Sequence, residues 1–421
     1  MAGLRVGLVC PYSFDSHGGV QNQVVGFARY LTAQGHEPYV LGPGELPPSS
    51  TEGLNHVSSA GGAIPVPYNG SVARVNFGPL SAARVRRWLR TSDVDLLHVH
   101  EPITPSISLL ALWAADVPVV ATFHTATPRS RSMRLAGAAL SSTVAKIAGR
   151  IAVSESARQV VVQHLGRGAV VIPNGFSAAD FPGSSVQHGV SPRGGAGGSS
   201  PPESTQRRRW RGGVRPRLTF LGRANEPRKG LSVLIAALPE IRARYPDLDV
   251  VVAGDRSASR VSGCRALGPV DDRTKAELLA STDVFVAPQL ERESFGIVVL
   301  EAMASGAPVV ASDLPAFADL LLPAGVPEPL GEIFASGNAL ALAAAVVRTL
   351  AKPDRVRTER ARLAAGRYDW SHVGPAILGI YHQALNRQPH PAPALDWDRW
   401  PGWTPSKMPT SSSVARATLW R

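Results

Sequence analysis

Short apolar runs alternate with longer amphipathic stretches twice along the chain. The first set of runs falls at residues 5–9, 39–41, 96–99, 119–122, 151–153 and 170–172, the second at 218–221, 250–253, 284–287 and 308–311. Between them the apolar positions take helical spacing. Val20, Val24, Phe27 and Leu31 share one face of a stretch over 20–34 that stops before Gly35, and residues 273–280 form another helical stretch. Apolar strands alternating with helices predict an α/β fold, with a parallel sheet covered by helices in each half of the chain. At 421 residues there is room for two such domains, each with its own core.

Two segments leave this rhythm. Residues 182–216 are rich in Gly, Ser and Pro and end in the basic Arg207-Arg208-Arg209-Trp210-Arg211, which predicts a flexible insertion between the domains 1–181 and 217–370. Residues 388–421 are Pro-rich, with Trp397, Trp400, Trp403 and Trp420, and are expected to form a disordered tail.

Candidate chemistry concentrates around Glu293 and Glu301, eight positions apart at a predicted helix start. Ser294 is expected to cap that helix, leaving the N–H groups of Phe295, Gly296 and Ile297 aimed forward, where they and the helix dipole favour phosphate. Eight residues at helical rise span roughly 12 Å, about the reach from a hexose across a diphosphate to a ribose. Upstream, Phe220-Leu221-Gly222-Arg223-Ala224-Asn225-Glu226-Pro227-Arg228-Lys229-Gly230 places Arg223 and Lys229 on a strand-to-helix loop. Such loops leave the carboxyl ends of parallel strands, where ligands bind, and two cations there suit a diphosphate.

These motifs resemble those of the family 4 retaining glycosyltransferases. The amino-terminal strings Cys10-Pro11-Tyr12-Ser13-Phe14-Asp15-Ser16-His17-Gly18-Gly19-Val20-Gln21, Pro67-Tyr68-Asn69-Gly70-Ser71-Val72-Ala73-Arg74, His98-Val99-His100-Glu101-Pro102 and Ala121-Thr122-Phe123-His124-Thr125 narrow the resemblance to the actinobacterial phosphatidylinositol mannosyltransferases. The resemblance implies a GT-B fold, two Rossmann-like doubly wound domains facing across a cleft, with a final helix over 371–387 returning to the first domain. It implies transfer of mannose from GDP-mannose to the inositol 2-hydroxyl of phosphatidylinositol, with retention. A related hexosyltransferase using another nucleotide sugar or soluble inositol phosphate is one alternative, and a non-catalytic nucleotide-sugar or membrane binder is another.

The resemblance also implies roles. Arg223 and Lys229 would neutralise the leaving diphosphate, Glu293 would hold sugar hydroxyls, Glu301 the ribose, and His124 would lie beside the transferred sugar. Gly19, Ser294, Phe295, Gly296 and Ile297 would complete the donor site. Tyr12, Asp15, Gly18, Asn69, Arg74 and Arg129 would line the acceptor side, with Arg74 as the phosphate clamp. Two departures stand out: Arg129 replaces a lysine, and Gln289-Leu290-Glu291-Arg292 replaces a glycine-containing approach to Glu293. No protein metal site is expected, and no tightly bound cofactor; Mg²⁺ could assist the diphosphate.

The net charge of +12 and the pI near 10.3 fit nucleic acid or an anionic membrane. No zinc-finger spacing or aromatic RNP-like motif supports the first, so no nucleic-acid partner is expected. For the second, residues 80–90 read as a basic amphipathic helix, with Val85, Trp88 and Leu89 on one face and Arg84, Arg86, Arg87 and Arg90 on the rest. Two cysteines and no apolar run near the roughly 20 residues of a membrane span predict a cytoplasmic protein, peripheral on the inner face of the plasma membrane.

Overall fold

The computed structural model describes residues 3–16, 18–46, 51–68, 71–125, 141–181, 215–254 and 263–386. The expected insertion over 182–216 lies outside them except for its last two residues. The tail over 388–421 lies wholly outside, as do the acceptor candidates Asn69 and Arg129.

In chain order the strands of the first half are β1 Arg5–Val9, β2 Glu37–Gly42, β3 His56–Ser59, β4 Ile64–Tyr68, β5 Ser71–Val75, β6 Leu96–His100, β7 Val119–Phe123, β8 Ile147–Ala152 and β9 Val170–Val171. Those of the second are β10 Arg217–Leu221, β11 Asp249–Ala253, β12 Arg265–Gly268, β13 Val284–Ala287, β14 Val309–Ser312 and β15 Glu332–Phe334. They build one sheet in the order β3-β2-β1-β6-β7-β8-β9 and another in the order β12-β11-β10-β13-β14-β15, with every pairing parallel. Both are Rossmann-like. Central strands such as β6, β7 and β10 are buried along their whole length, as parallel strands covered on both faces must be. In each sheet the strand order reverses once, between β1 and β6 and between β10 and β13, which opens a crevice at the carboxyl ends of those strands.

The last described helix, Trp370–Asn386, packs on the first sheet. Its Trp370, Val373, Ile377, Ile380, Tyr381 and Ala384 join a core with Val6, Leu8, Phe27, Val120 and Ile151. The fit depends on absent side chains. A Cβ on Gly26 would meet the Trp370 indole nitrogen at 2.9 Å, and Gly175 is pressed against the same ring. Gly149 faces Ile380 in the same way, and β8 begins at Ile147, paired with Val119 of β7, rather than at the predicted residue 151. Gly149 and Arg150 interrupt the apolar run, yet the glycine is what lets the helix approach.

The short edge strands β3, β12 and β15 lie outside the predicted runs, and so does one separate element. β4 and β5 form an antiparallel hairpin separate from both sheets, in register from Ile64↔Val75 to Tyr68↔Ser71. Pro65 and Pro67 mask β4 as a strand, because proline cannot donate to a ladder; a two-stranded ribbon tolerates them along its open edge. The Ser13 N–H donates to the Arg74 carbonyl at 2.8 Å, and Tyr12 bridges to Val75, so β5 is tied to the loop leaving β1.

The helix Pro79–Ser92 forms as expected, but Trp88 is buried with Val85 in the first-domain core. Trp88 is therefore corrected from a membrane contact to a packing residue: its ring lies against β1 at Gly7, where a large apolar side chain gains more than it would in water. Replacing Trp370 by alanine should cost about 3–5 kcal/mol of stability in urea unfolding, and a loss below about 1 kcal/mol would show that the helix contributes little to the first-domain core.

Candidate active site

The two crevices open onto one cleft of about 310 Å³, at the lower end of the range for small-molecule sites. Its walls come from loops at the carboxyl ends of strands. Tyr12, Gly18 and Gly19 follow β1, Glu101 follows β6, and His124 and Thr125 follow β7; opposite them, Arg223, Arg228 and Lys229 follow β10, and Arg292 through Ile297 follow β13. Arg74 reaches the cleft on the hairpin. The expected residues Tyr12, Gly18, Gly19, Arg74, His124, Arg223, Lys229, Glu293, Ser294, Phe295, Gly296 and Ile297 thus share one space.

The cleft is electropositive by construction. Arg74, Arg223, Arg228, Lys229 and Arg292 stand against the carboxylates Glu101 and Glu293. The helix Gly19–Ala33 begins at the cleft from one domain and the helix Ile297–Ala304 from the other, so two positive dipole ends add to the side chains. The cations are held in place. Glu226, buried behind the loop, accepts from Arg223 Nη1 at 2.8 Å and from Arg228 Nη2 at 2.7 Å. Lys229 Nζ donates to Glu293 Oε2 at 3.0 Å. Burial pushes the Glu293 carboxyl upward, but Lys229, Arg228 and the Gly296 N–H outweigh it and hold the group below its ordinary value.

The cap differs from the expectation. The helix begins at Ile297, and its N-cap is Gly296 at φ 90°, a left-handed conformation that favours glycine. Ser294 lies before the cap and makes no capping bond. The Gly296 N–H donates to Glu293 Oε1 at 3.3 Å, so the acid satisfies a donor expected to face a phosphate. The forward-facing end of the helix is consequently its first turn from Ile297 onward.

Two expected residues lie off the cleft wall. Glu301 is buried on the helix, where its Oε1 accepts from Lys275 Nζ at 2.7 Å. Burial disfavours the charge on Lys275, yet Glu301 and Asp272 more than offset that and raise its pKa. Asp15 is exposed; its Oδ1 accepts from the Glu45 N–H at 3.0 Å and its Oδ2 from Ser13 Oγ at 2.9 Å, and these bonds together with Arg74 hold its carboxyl low.

The sequence reading passed over Glu101, Glu226 and Arg292. Glu101 adopts φ 50° while buried, and its Oε1 accepts from the His124 N–H at 2.7 Å and Thr125 Oγ1 at 2.9 Å. It shapes the turn that presents His124. Arg292 sits at φ 58°, a strained conformation for a non-glycine residue and the physical counterpart of the glycine-containing approach it replaces. Among the described residues no three His, Cys, Asp or Glu side chains gather as a metal-binding group.

Two parallel-sheet Rossmann-like domains with an electropositive cleft at their facing strand ends define a GT-B glycosyltransferase, and known proteins agree. The profile described as Glycosyltransferase Family 4 matches residues 17–180, and Glycosyl transferases group 1 matches 215–352. Among solved structures, a glycosyltransferase from Rickettsia africae superposes with a TM-score of 0.69 at 18% identity, over 91% of this chain and 99% of that one. The Anabaena protein HepE in complex with UDP and glucose superposes at 0.68 and 18%, over 90% and 99%. The phosphatidyl-myo-inositol mannosyltransferase of Propionibacterium freudenreichii is 46% identical over 383 residues, covering 90% of this chain and 94% of that protein. Its counterpart in Mycolicibacterium smegmatis is 42% identical over 393 residues, covering 90% and 93%. The chain belongs to the phosphatidyl-myo-inositol mannosyltransferase family.

Because the Glu293 carboxyl is lowered on folding, it stabilises the folded state above its unfolded pKa, and that contribution is lost as pH falls through the folded value. The stability gap between wild type and Glu293→Gln should therefore narrow from about pH 7 to about pH 3 in urea unfolding. A gap that does not change with pH would mean that Lys229 does not support the charged form.

Proposed function

We propose that this chain transfers mannose from GDP-mannose to the inositol ring of phosphatidylinositol, with retention, at the anionic inner face of the plasma membrane. The observation that carries this reading is the single cleft in which Arg223, Lys229 and Glu293 of one domain face Tyr12, Gly18, Arg74 and His124 of the other. The relatives carry the acceptor and the sugar in their name.

In this reading the diphosphate lies against Arg223, Lys229 and the first turn of the helix Ile297–Ala304, with Gly19 giving backbone access from the other side. Glu293, already paired with Lys229, offers its carboxylate to sugar hydroxyls. Glu301 Oε1 is taken by Lys275, so the ribose contact falls to Oε2. Arg74 clamps the lipid phosphate beside Tyr12. The leaving diphosphate accepts the acceptor proton on the front face, and the cations stabilise the charge that develops on it.

Membrane contact rests on the hairpin and the helix that follows it. Ile64, Val72, Phe77 and Leu80 are exposed, and the chain runs from them directly into a helix with Arg84, Arg87 and Arg90 on its accessible side. No described helix is long and apolar enough to cross a membrane. Apolar side chains beside arginines suit a headgroup layer, where each cation contributes about 1 kcal/mol.

The test is transfer from radiolabelled GDP-mannose, UDP-glucose or UDP-N-acetylglucosamine to phosphatidylinositol in anionic vesicles, with soluble inositol phosphate in parallel. Label in lipid from GDP-mannose alone is the expected result. Label in soluble inositol phosphate but not in lipid would overturn the membrane part, and label from another donor would overturn the sugar. Arg223→Ala and Lys229→Ala should each lower turnover about 10²–10³-fold, and near-normal turnover would remove the diphosphate assignment. Changing both Arg87 and Arg90 to alanine should weaken vesicle binding at low salt by about 1 kcal/mol each, checked by co-sedimentation; unchanged binding would remove this helix from the membrane surface.

A further inference from the structure

His98 and His100 lie two residues apart on β6, so their rings project from the same face of the strand, and His124 follows the neighbouring β7. The three rings form a connected row, His98 stacked on His100 and His100 meeting His124 edge to edge. Centroids of His98 and His100 are 4.5 Å apart at 25°, and those of His100 and His124 are 5.2 Å apart at 17°. All three are buried. The far end of the row is anchored, since His98 Nδ1 lies 2.7 Å from Tyr381 Oη and His98 Nε2 lies 2.7 Å from Thr122 Oγ1.

At the near end His100 Nδ1 lies 2.9 Å from His124 Nε2, while His100 Nε2 is buried with no hydrogen-bond partner among the described residues. Of two facing ring nitrogens, one must donate and the other accept. Burial holds His124 down to about 3 and His100 well below its ordinary value, so each ring carries one proton. A proton on His100 Nε2 would be a buried N–H without an acceptor, the rarer and costlier kind of orphan. On Nδ1 it makes the hydrogen bond. His124 Nε2 then accepts, and its own proton resides on Nδ1.

We propose that His100 is a positioning residue that donates from Nδ1 to His124 Nε2, and thereby holds His124 in the Nδ1-protonated tautomer with its ring fixed beside the cleft. The only ring nitrogen of His124 left for a ligand is then a neutral N–H. It can donate a hydrogen bond to a sugar oxygen, and it cannot accept the acceptor's proton. That task therefore falls to the leaving diphosphate. The catalytic consequence rests on the proposed placing of the sugar beside His124; the tautomer itself does not.

The experiment combines two readouts on the full chain with ring-¹⁵N histidine. Long-range proton–nitrogen NMR, with His124 assigned by its loss in His124→Asn, should show Nδ1 protonated and Nε2 bare. A proton on Nε2 would overturn the proposal. His100→Asn keeps an amide N–H close to the place of Nδ1, whereas His100→Asp, read at a pH where the new carboxyl is ionised, offers only acceptors there. The Asn variant should keep the tautomer and stay within about threefold of wild-type kcat. The Asp variant should move the proton to Nε2 and lose about 10–100-fold in kcat, the usual cost of losing a partner that orients a site histidine, with the donor KM little changed. Equal losses in both variants with the tautomer unmoved would show that His100 only fills space. If no donor supports transfer by the wild type, the proposed function fails, while the NMR result still decides the tautomer.

Discussion

Parallel strands must all run the same way, and everything chemical in this chain follows from that constraint. A parallel pair needs a crossover connection, so every return path lies on a face of the sheet and every strand delivers its carboxyl end to the same edge. Tyr12, Glu101, His124, Arg223 and Glu293, scattered over most of the chain, are each set down just beyond such an end. The strand order reverses between β1 and β6 and between β10 and β13, and those reversals leave the room that the cleft occupies. The glycines at 26, 149 and 175 serve the same end, because they let the helix Trp370–Asn386 seal the back of the first sheet.

Into that frame the loops bring more positive charge than the cleft can neutralise with its own acids. Close cations repel, and each loses solvent on burial. Glu226 meets this cost by gripping Arg223 and Arg228 together, and Glu293 by pairing with Lys229. The carboxylates leave the cations aimed and the field positive, which is what a site for a diphosphate leaving group requires: donors already oriented, with no reorganisation when charge develops. The same economy explains Gly296, whose N–H goes to Glu293 while its left-handed turn starts the helix.

The first domain brings fewer charges to the cleft than the second. Its three linked histidines are buried and neutral, and Glu101, at the cleft wall, accepts the His124 N–H. A strongly cationic wall therefore faces one whose charged groups are Arg74 and Glu101. The strained backbone of Glu101 and Arg292, one on each wall, marks where the chain was bent to aim a side chain.

Periodicity determined the central strands of both sheets and the helices between them. Alternating apolar runs and helical stretches specify two parallel sheets, because strand burial on both faces leaves no other pattern; Arg223, Lys229 and Glu293 were legible because loop position after a strand and helix-start chemistry are local. The β4–β5 hairpin was not, since its prolines contradict strand propensity and only the ribbon's open edge tolerates them. Nor was the cap at Gly296, where backbone conformation overrode the side-chain preference of Ser294. Trp88 was placed on the right helical face, but periodicity cannot say whether an apolar face meets lipid or the protein's own core. The partners of Glu301 and His100 belong to the fold alone: Lys275 and Glu301 are 26 residues apart, and His100 and His124 are 24 apart. Such meetings are set by how helices and strands stack, and stacking depends on the volume of every side chain in between.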